Sequence, residues 1–232
     1  MTQSVFVTGA DKGLGLELVR RFAVAGCRVF AGQYDPKSAI ARQVGGSNLL
    51  VVPLDIADMS SVERAARTVA SHTEGLDILI NNAGVLLESR PEPPLEETIF
   101  ENLAPMMNVN AFGTLRVSIK FLPLLRKGSR KLLLNISSEA ARLEECKYKH
   151  RVGYCMSKVA VNMQSKILQN YLVPEGIKVL AVHPGWMKTD MGGPNAETEP
   201  SEVAEKLFAL TQRSWDITGP IFVDNTGQRM AW

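Results

Sequence analysis

The sequence predicts an α/β protein built on one doubly wound parallel sheet of about seven strands, with helices on both faces. Short apolar runs alternate along the chain with longer segments of helical periodicity. The short runs are almost wholly apolar, which is typical of strands that helices cover on both faces. Their β-α-β-α order favours parallel pairing through helical crossovers. A chain of 232 residues fits a single domain, which we expect to span 1–232.

Seven apolar runs are the predicted strands: residues 4–8, 27–32, 48–54, 76–80, 131–136, 178–182 and 221–223. Five segments between or beyond them have helical periodicity: residues 14–25, 59–72, 96–121, 152–171 and 201–212. The first helix is expected to end at Gly26, and its apolar side consists of Leu14, Leu18, Phe22 and Ala25. Pro105 is expected to interrupt the third helical segment, since proline removes a helix hydrogen bond. Segments 90–94 and 192–200 are predicted loops.

The composition is that of an ordinary globular protein, with 45% hydrophobic and 22% charged residues. Because 26 basic residues face 24 acidic ones without a block of like charge, neither nucleic acid nor a membrane surface is expected as a partner. No apolar run approaches 18 residues, and the first residues form no basic leader, so we expect a cytoplasmic location. The three cysteines and three histidines are scattered, which predicts free thiols and no metal site.

A glycine-rich turn follows the first strand. Glycines stand at positions 9, 13 and 15 of the segment Thr-Gly-Ala-Asp-Lys-Gly-Leu-Gly, directly before a helical pattern. Such a turn lets the backbone approach a pyrophosphate, and the helix N-terminus offers free N–H groups and a positive dipole end. The alternative is a glycine turn that binds nothing.

This turn is similar to the fingerprint of the short-chain dehydrogenases/reductases, in their single-domain branch, which have a Rossmann-like fold. Three later segments fit the same family: Leu54-Asp55-Ile56, Asn81-Asn82-Ala83-Gly84, and Pro184-Gly185 followed by Thr189. The resemblance implies that these segments contact adenine, support the sheet and cofactor, and fold over the nicotinamide amide, respectively. Each has a plainer interpretation, respectively a helix cap, an ordinary turn and a loop break.

Together, these segments imply a cofactor site at the carboxyl ends of the strands. The residues that the resemblance assigns to it are Gly9, Asp11, Lys12, Gly13, Leu14, Gly15, Gln33, Asp55, Ile56, Asn82, Ala83, Gly84, Tyr154, Lys158, Pro184, Gly185, Met187 and Thr189.

The end of the second strand favours NADP(H), with NAD(H) possible. An NAD enzyme usually places an acid there for the ribose 2′-hydroxyl, whereas this chain has Gln33. Lys12 offers a positive charge for a 2′-phosphate, as in related NADP(H) enzymes, although it is also compatible with a solvated turn. The arginine frequent in the family after this strand is replaced by Tyr34, and Lys37 and Arg42 are possible helpers.

A tyrosine and a lysine four residues apart open the helix at 152–171. Tyr154 and Lys158 lie on one helix face and match the Tyr-x-x-x-Lys core of the family. A nearby ammonium is expected to lower the pKa of a tyrosine below its usual ~10, so that it exchanges protons with the substrate oxygen. The alternative is a pair of surface helix residues.

The resemblance completes this centre with Ser138, which hydrogen-bonds the substrate oxygen, and Asn110, which helps hold a proton path to the lysine. Ser137 is the alternative serine. From Ser138 to Tyr154 is sixteen residues, longer than is usual in the family, and the charged insert 142–151 is expected to border the substrate cleft. Tyr148 within it lacks a lysine four residues on.

Residues 108–114, 183–186, 189–193 and 219–232 resemble the C-factor and sniffer-like carbonyl reductase group. This implies interconversion of a carbonyl (aldehyde, ketone or quinone) and an alcohol, with a small-molecule substrate in an open cleft. One alternative is an NAD(P)-binding regulatory or signalling protein with little turnover; a sugar-nucleotide epimerase or dehydratase fits less well because the chain is short.

The resemblance also implies a homodimer or homotetramer formed through the helices at 111–127 and 153–172. The residues that would line such an interface, or the core instead, are Leu115, Ile119, Leu122, Val161, Ser165 and Leu168.

Overall fold

The computed structural model describes residues 2–88 and 99–232. The predicted loop at 90–94 and the predicted helix start at 96 lie outside these residues. Within them, no helix is both long and apolar enough to cross a membrane.

All seven strands of the sheet are parallel, in the order β3-β2-β1-β4-β5-β6-β7. The strands are β1 (Ser4–Val7), β2 (Arg28–Gln33), β3 (Leu49–Pro53), β4 (Ile78–Asn81), β5 (Leu132–Ile136), β6 (Lys178–His183) and β7 (Phe222–Asp224). The predicted doubly wound sheet is thus confirmed. The strand order reverses between β1 and β4, and ligands of such sheets bind at the carboxyl ends beside this reversal.

The helices are α1 (Gly13–Val24), α2 (Ile40–Val44), α3 (Met59–Ala70), α4 (Ile99–Met106), α5 (Thr114–Lys127), α6 (Val152–Leu172) and α7 (Pro200–Gln212). The helices α1, α3, α6 and α7 were predicted to within two residues at each end. The helix α2 was not predicted, because five residues are too few to show helical periodicity.

The segment from α4 to α5 departs from the predicted break at Pro105. The helix passes through Pro105, continues as a π-helix over Met107–Gly113 and returns to α-helical geometry in α5. The proline therefore precedes a change of helical pitch and does not end the helix. π-helical turns are frequent at functional sites, and this one contains Asn110.

The core consists of two apolar layers, one on each face of the sheet. Val5 and Val7 of β1 pack with α1 and α7 on one face, whereas Phe6 packs with α3 and α5 on the other and contacts Phe121 at 4.3 Å between ring centroids. Both faces are therefore covered, as the wholly apolar strands predicted. Ala25 is exposed because α1 ends one residue earlier, so its inclusion on the buried side was wrong.

Candidate active site

The glycine-rich turn packs too tightly for any side chain at two of its positions. Gly9 has φ +62°, and a Cβ there would lie 2.8 Å from Ala83 Cα; a Cβ on Gly15 would lie 2.0 Å from the Gly9 carbonyl oxygen. The N-terminus of α1 has no side-chain cap at Lys12 and no acidic residue in its first turn. Its N–H groups are thus available to an anion, and the turn fits the pyrophosphate of a dinucleotide. Leu14 is buried, so it would contribute its backbone.

The segment after β4 clamps this turn to the sheet. Asn82 Nδ2 donates to the carbonyl oxygens of Thr8 (3.0 Å) and Gly9 (3.1 Å). Thr8 Oγ1 accepts from the backbone N–H groups of Asn82 and Ala83, each at 3.0 Å. A Cβ on Gly84 would lie 3.8 Å from Lys158 Nζ. The segment therefore links the ends of β1 and β4 beside Lys158, a tertiary role that an ordinary turn would not have.

Asp55 does not cap α3. Its carboxylate accepts from the N–H of Ala57 at 2.8 Å, whereas Asp58 accepts from the N–H groups of Ser60 and Ser61 and is the N-cap. The cap interpretation of Asp55 is thus wrong, and its carboxylate stays at the carboxyl end of β3. The neighbouring Ile56 is buried.

Lys12, expected to receive a 2′-phosphate, and Gln33, which stands where NAD enzymes have an acid, both have partners within the chain. Lys12 Nζ lies 2.5 Å from Asp190 Oδ2, with both side chains more than three-quarters exposed, and this ion pair raises the pKa of Lys12. Gln33 Nε2 donates to the carbonyl oxygen (2.9 Å) and hydroxyl (2.7 Å) of Ser38. Neither partner, Asp190 for Lys12 or Ser38 for Gln33, was predicted from the sequence. The charge of Lys12 is therefore largely balanced by Asp190.

The loop after β6 folds back toward the glycine-rich turn. The Pro184 carbonyl oxygen accepts from Asn225 Nδ2 at 2.7 Å, and Gly185 has φ +93°. Met187 forms an isolated bridge with Thr198, which holds the base of the loop. A Cβ on Gly13 would lie 3.3 Å from Thr189 Cγ2, so the loop touches the turn.

Lys158 is buried, and the partly buried Tyr154 lies beside it. Lys158 is 5% exposed, and its Nζ donates to the Ile136 carbonyl oxygen at 2.8 Å and lies 5.7 Å from the Tyr154 ring centroid. Burial lowers the pKa of Lys158 to about 8. Burial also raises the pKa of Tyr154, against a lowering by its hydrogen bond with Ser138. The net shift is thus opposite to the expected lowering, because loss of hydration disfavours the phenolate and outweighs the hydrogen bond with Ser138.

The structure separates the two candidate serines. Ser138 shares a hydrogen bond with Tyr154, and its Oγ accepts from the N–H of Ala140 at 3.1 Å. Ser137 Oγ points into the core and donates to Asn162 Oδ1 at 2.6 Å. Ser138 is therefore the serine at the centre, and Ser137 ties β5 to α6.

Asn110 joins α6, the helix that carries Tyr154 and Lys158, to the segment after β4. Its Oδ1 accepts from the Val85 N–H at 2.7 Å, and its Nδ2 donates to the Val85 carbonyl oxygen (2.8 Å) and to Ser157 Oγ (3.0 Å). Because both its amide oxygen and its amide nitrogen have partners, Asn110 holds α6 and the segment after β4 together near Lys158.

Glu88 binds the first turn of α6 and was not singled out from the sequence. Its carboxylate accepts from the backbone N–H groups of Gly153 (2.9 Å) and Tyr154 (3.3 Å). Arg151, the N-cap residue of α6, makes no side-chain capping bond. A carboxylate from a distant loop thus takes the capping role, and no local motif could have indicated it.

The insert 142–151 is attached next to Ser138. Tyr148 donates its hydroxyl to Glu139 Oε1 at 3.1 Å, and burial raises the pKa of Tyr148. The Glu139 N–H donates to His183 Nδ1 at 3.1 Å, while burial lowers the pKa of His183. His183 is therefore a neutral imidazole at the carboxyl end of β6. The insert is thus attached through Tyr148 to the residue that follows Ser138.

Comparison with known proteins agrees with this geometry. Residues 3–200 match the family model described as short chain dehydrogenase. A short-chain dehydrogenase/reductase of Arthrinium sp is 32% identical over 95% of this chain and 87% of its own length. Human retinol dehydrogenase 5 is 37% identical over 80% of this chain, but the match spans only 57% of that protein.

Among solved structures, an NADPH-bound carbonyl reductase from chicken fatty liver superposes with a TM-score of 0.87 at 30% identity, covering 100% of this chain and 99% of that one. The carbonyl reductase Sniffer of D. melanogaster has the same fold, with a TM-score of 0.91 at 24% identity over the full length of both chains.

Proposed function

Because the chain belongs to the short-chain dehydrogenase family, we propose that it is an NADP(H)-dependent oxidoreductase that reduces the carbonyl group of an aldehyde, ketone or quinone to an alcohol. The observation that carries this proposal is the grouping of Ser138, Tyr154 and Lys158 at the carboxyl ends of the strands. The same centre can run the reverse oxidation.

The chain's own residues supply the proton and the polar contacts. When bound, a reduced nicotinamide would supply the hydride for the carbonyl carbon. Tyr154 donates its hydroxyl proton to the carbonyl oxygen, which yields the alcohol, and Ser138 hydrogen-bonds the same oxygen as it gains charge. The Lys158 ammonium lies 5.7 Å from the centroid of the Tyr154 ring. It stabilises the phenolate that remains after the proton has been transferred.

The raised pKa of Tyr154 favours the reductive direction. A hydroxyl whose pKa exceeds its usual value stays protonated at neutral pH, as a proton donor must. A base for alcohol oxidation requires the phenolate, which burial disfavours. At neutral pH the centre thus carries the protonated hydroxyl that carbonyl reduction requires.

The proposed cofactor site runs across the sheet reversal. The N-terminus of α1 would hold the pyrophosphate, Asp55 and Ile56 would contact adenine, and the loop 184–189 would cover the nicotinamide. NADP(H) is favoured because β2 ends in Gln33 without an acid, and because the carbonyl reductase from chicken fatty liver binds NADPH. NAD(H) is the second candidate.

The proposal extends to assembly and location. Val161 and Ser165 are buried in the core, whereas Ile119 of α5 and Met163 and Ile167 of α6 are each more than half exposed. We propose that these exposed residues of α5 and α6 pair two copies of the chain, in the cytoplasm.

The first test is a fluorescence titration of the purified protein with NADPH and NADH side by side, followed by a panel of aldehydes, ketones and quinones. We expect tighter binding of NADPH and turnover of several carbonyl compounds. Binding of neither dinucleotide would refute the proposed function. Tighter binding of NADH would refute only the choice of cofactor.

A further inference from the structure

A carboxylate from the glycine-rich turn occupies the hydrogen-bond donors at the carboxyl end of β2. Asp11 accepts from the backbone N–H of Tyr34 at 3.1 Å and of Asp35 at 2.9 Å, and from the Ser38 hydroxyl at 3.0 Å. Gln33, the last residue of β2, donates to Ser38 and so completes this arrangement. Two consecutive N–H groups and a hydroxyl form an anion-binding concavity, and the anion in it belongs to the chain.

This concavity lies where the adenosine ribose of a dinucleotide is recognised. In doubly wound folds, the group at the end of β2 contacts the ribose 2′ position. A ribose hydroxyl can donate a hydrogen bond to a carboxylate there. A 2′-phosphate carries about −1.5 to −2 charges at neutral pH, so it must either lie against Asp11 or displace it from its donors.

The surrounding charges do not cancel this repulsion. Asp35 follows Tyr34 and lies near enough to Lys12 to help raise its pKa, as does Asp11. The ammonium of Lys12 is itself paired with Asp190. A 2′-phosphate must therefore compete with three carboxylates for one lysine.

We propose that Asp11 is the residue that sets cofactor selectivity in this chain, by holding the preference for NADP(H) over NAD(H) small. The inference rests on the proposed function, since it concerns the same dinucleotide site. In NAD enzymes an acid at the end of β2 contacts the ribose. This chain has Gln33 at that position, and the inference gives the role to Asp11 of the glycine-rich turn. A dinucleotide without the 2′-phosphate is held by the carboxylate, and one with it is penalised.

The test compares dissociation constants for NADPH and NADH, measured by fluorescence or calorimetry without any substrate. Asp11→Asn keeps an oxygen that can accept from the Asp35 N–H but removes the charge. We expect its dissociation constant for NADPH to fall about tenfold at low salt, since one unit of repulsion is lost at a partly exposed site. The value for NADH should change less than about threefold, and near 1 M salt the gain should shrink.

Asp216→Asn is the matched control. Asp216 is exposed and accepts from the N–H of Thr218 at 2.9 Å, so the control makes the same change in net charge and in the type of hydrogen bond. It lies beside Lys178 at the start of β6, the opposite end of the sheet. Its selectivity should equal that of the parent chain.

The outcomes separate the two proposals. If the parent chain binds neither dinucleotide, the proposed function fails. If it binds both and Asp11→Asn leaves the ratio of the two constants unchanged, or shifts it toward NADH, the role of Asp11 is refuted while the proposed function stands. Because a misfolded turn would also lose NADH, retained NADH binding shows that the variant is intact. Should NADH binding be lost, Asp11→Ser replaces it under the same criteria.

Discussion

Lys158 donates from Nζ to the carbonyl oxygen of Ile136 at 2.8 Å. The ammonium beside the reacting tyrosine is therefore held by the end of β5, against an uncharged oxygen and out of water. This position lowers the pKa of Lys158 to about 8, because hydration no longer supports the charge. The same bond holds α6 against the end of β5, two residues before Ser138.

The first prediction concerns stability against pH. The folded-state pKa of Lys158 lies below its unfolded value of 10.5, so between pH 8 and 10.5 the unfolded chain binds more protons. Relative to Lys158→Met, the parent chain should gain about 1–2 kcal/mol of unfolding free energy between pH 7 and 9.5. Denaturant midpoints at both pH values measure this. Lys166→Met replaces an exposed lysine on the same helix. Between the two pH values, its unfolding free energy should change as much as that of the parent chain.

The second prediction tests the proton donor. Tyr154→Phe should lower kcat by about 10²–10⁴-fold, because the carbonyl oxygen loses its proton source, while the dissociation constant for the nicotinamide cofactor stays within a few fold. Steady-state kinetics and cofactor titration check the two parts. Tyr148→Phe removes only the bond to Glu139 and should keep kcat within about tenfold. Equal losses from both variants would contradict the assignment.

The third prediction separates the adjacent serines. Ser138→Ala should lower kcat by about 10²-fold, since its hydroxyl serves the substrate oxygen. It should lower the unfolding free energy by about 1 kcal/mol at most, through the lost bond to the Ala140 N–H. Ser137→Ala should lower the unfolding free energy by about 1–3 kcal/mol, because it leaves buried Asn162 without its partner. Kinetics and chemical denaturation of both variants provide the comparison. The reverse pattern would identify Ser137 as the catalytic serine.

The fourth prediction addresses Glu88 as a positioning residue. Glu88→Ala should cost about 1 kcal/mol of stability and lower kcat more than it raises KM, because Tyr154 stands in the first turn that Glu88 caps. Glu88→Gln keeps an accepting oxygen and should recover most of kcat. A variant that loses stability alone, with kcat intact, would show that the cap has no part in placing Tyr154.

Patterns local in the chain were sufficient for the fold and the core of the site. Apolar runs and helical periods located all seven strands and the helices α1, α3, α6 and α7, because strands covered on both faces must be apolar along their whole length. The predicted segment 96–121 ended six residues before the end of α5. The glycines at 9 and 15 and the four-residue spacing of Tyr154 and Lys158 are likewise local requirements, and the structure places each at the carboxyl end of the sheet.

Only the tertiary structure decided how charges pair across the site. Lys12 meets Asp190, which lies 178 residues away, and Glu88 caps a helix 65 residues further on. Burial reversed the expected pKa shift of Tyr154. Hydrogen-bond partners, Asn162 for Ser137 and Tyr154 for Ser138, distinguished the two serines. Hydrogen bonds and desolvation depend on which atoms lie close together, and distant parts of the chain come together only in the folded structure. The sequence by itself thus determined the fold and the candidate reacting groups, whereas packing decided their hydrogen-bond partners and pKa shifts.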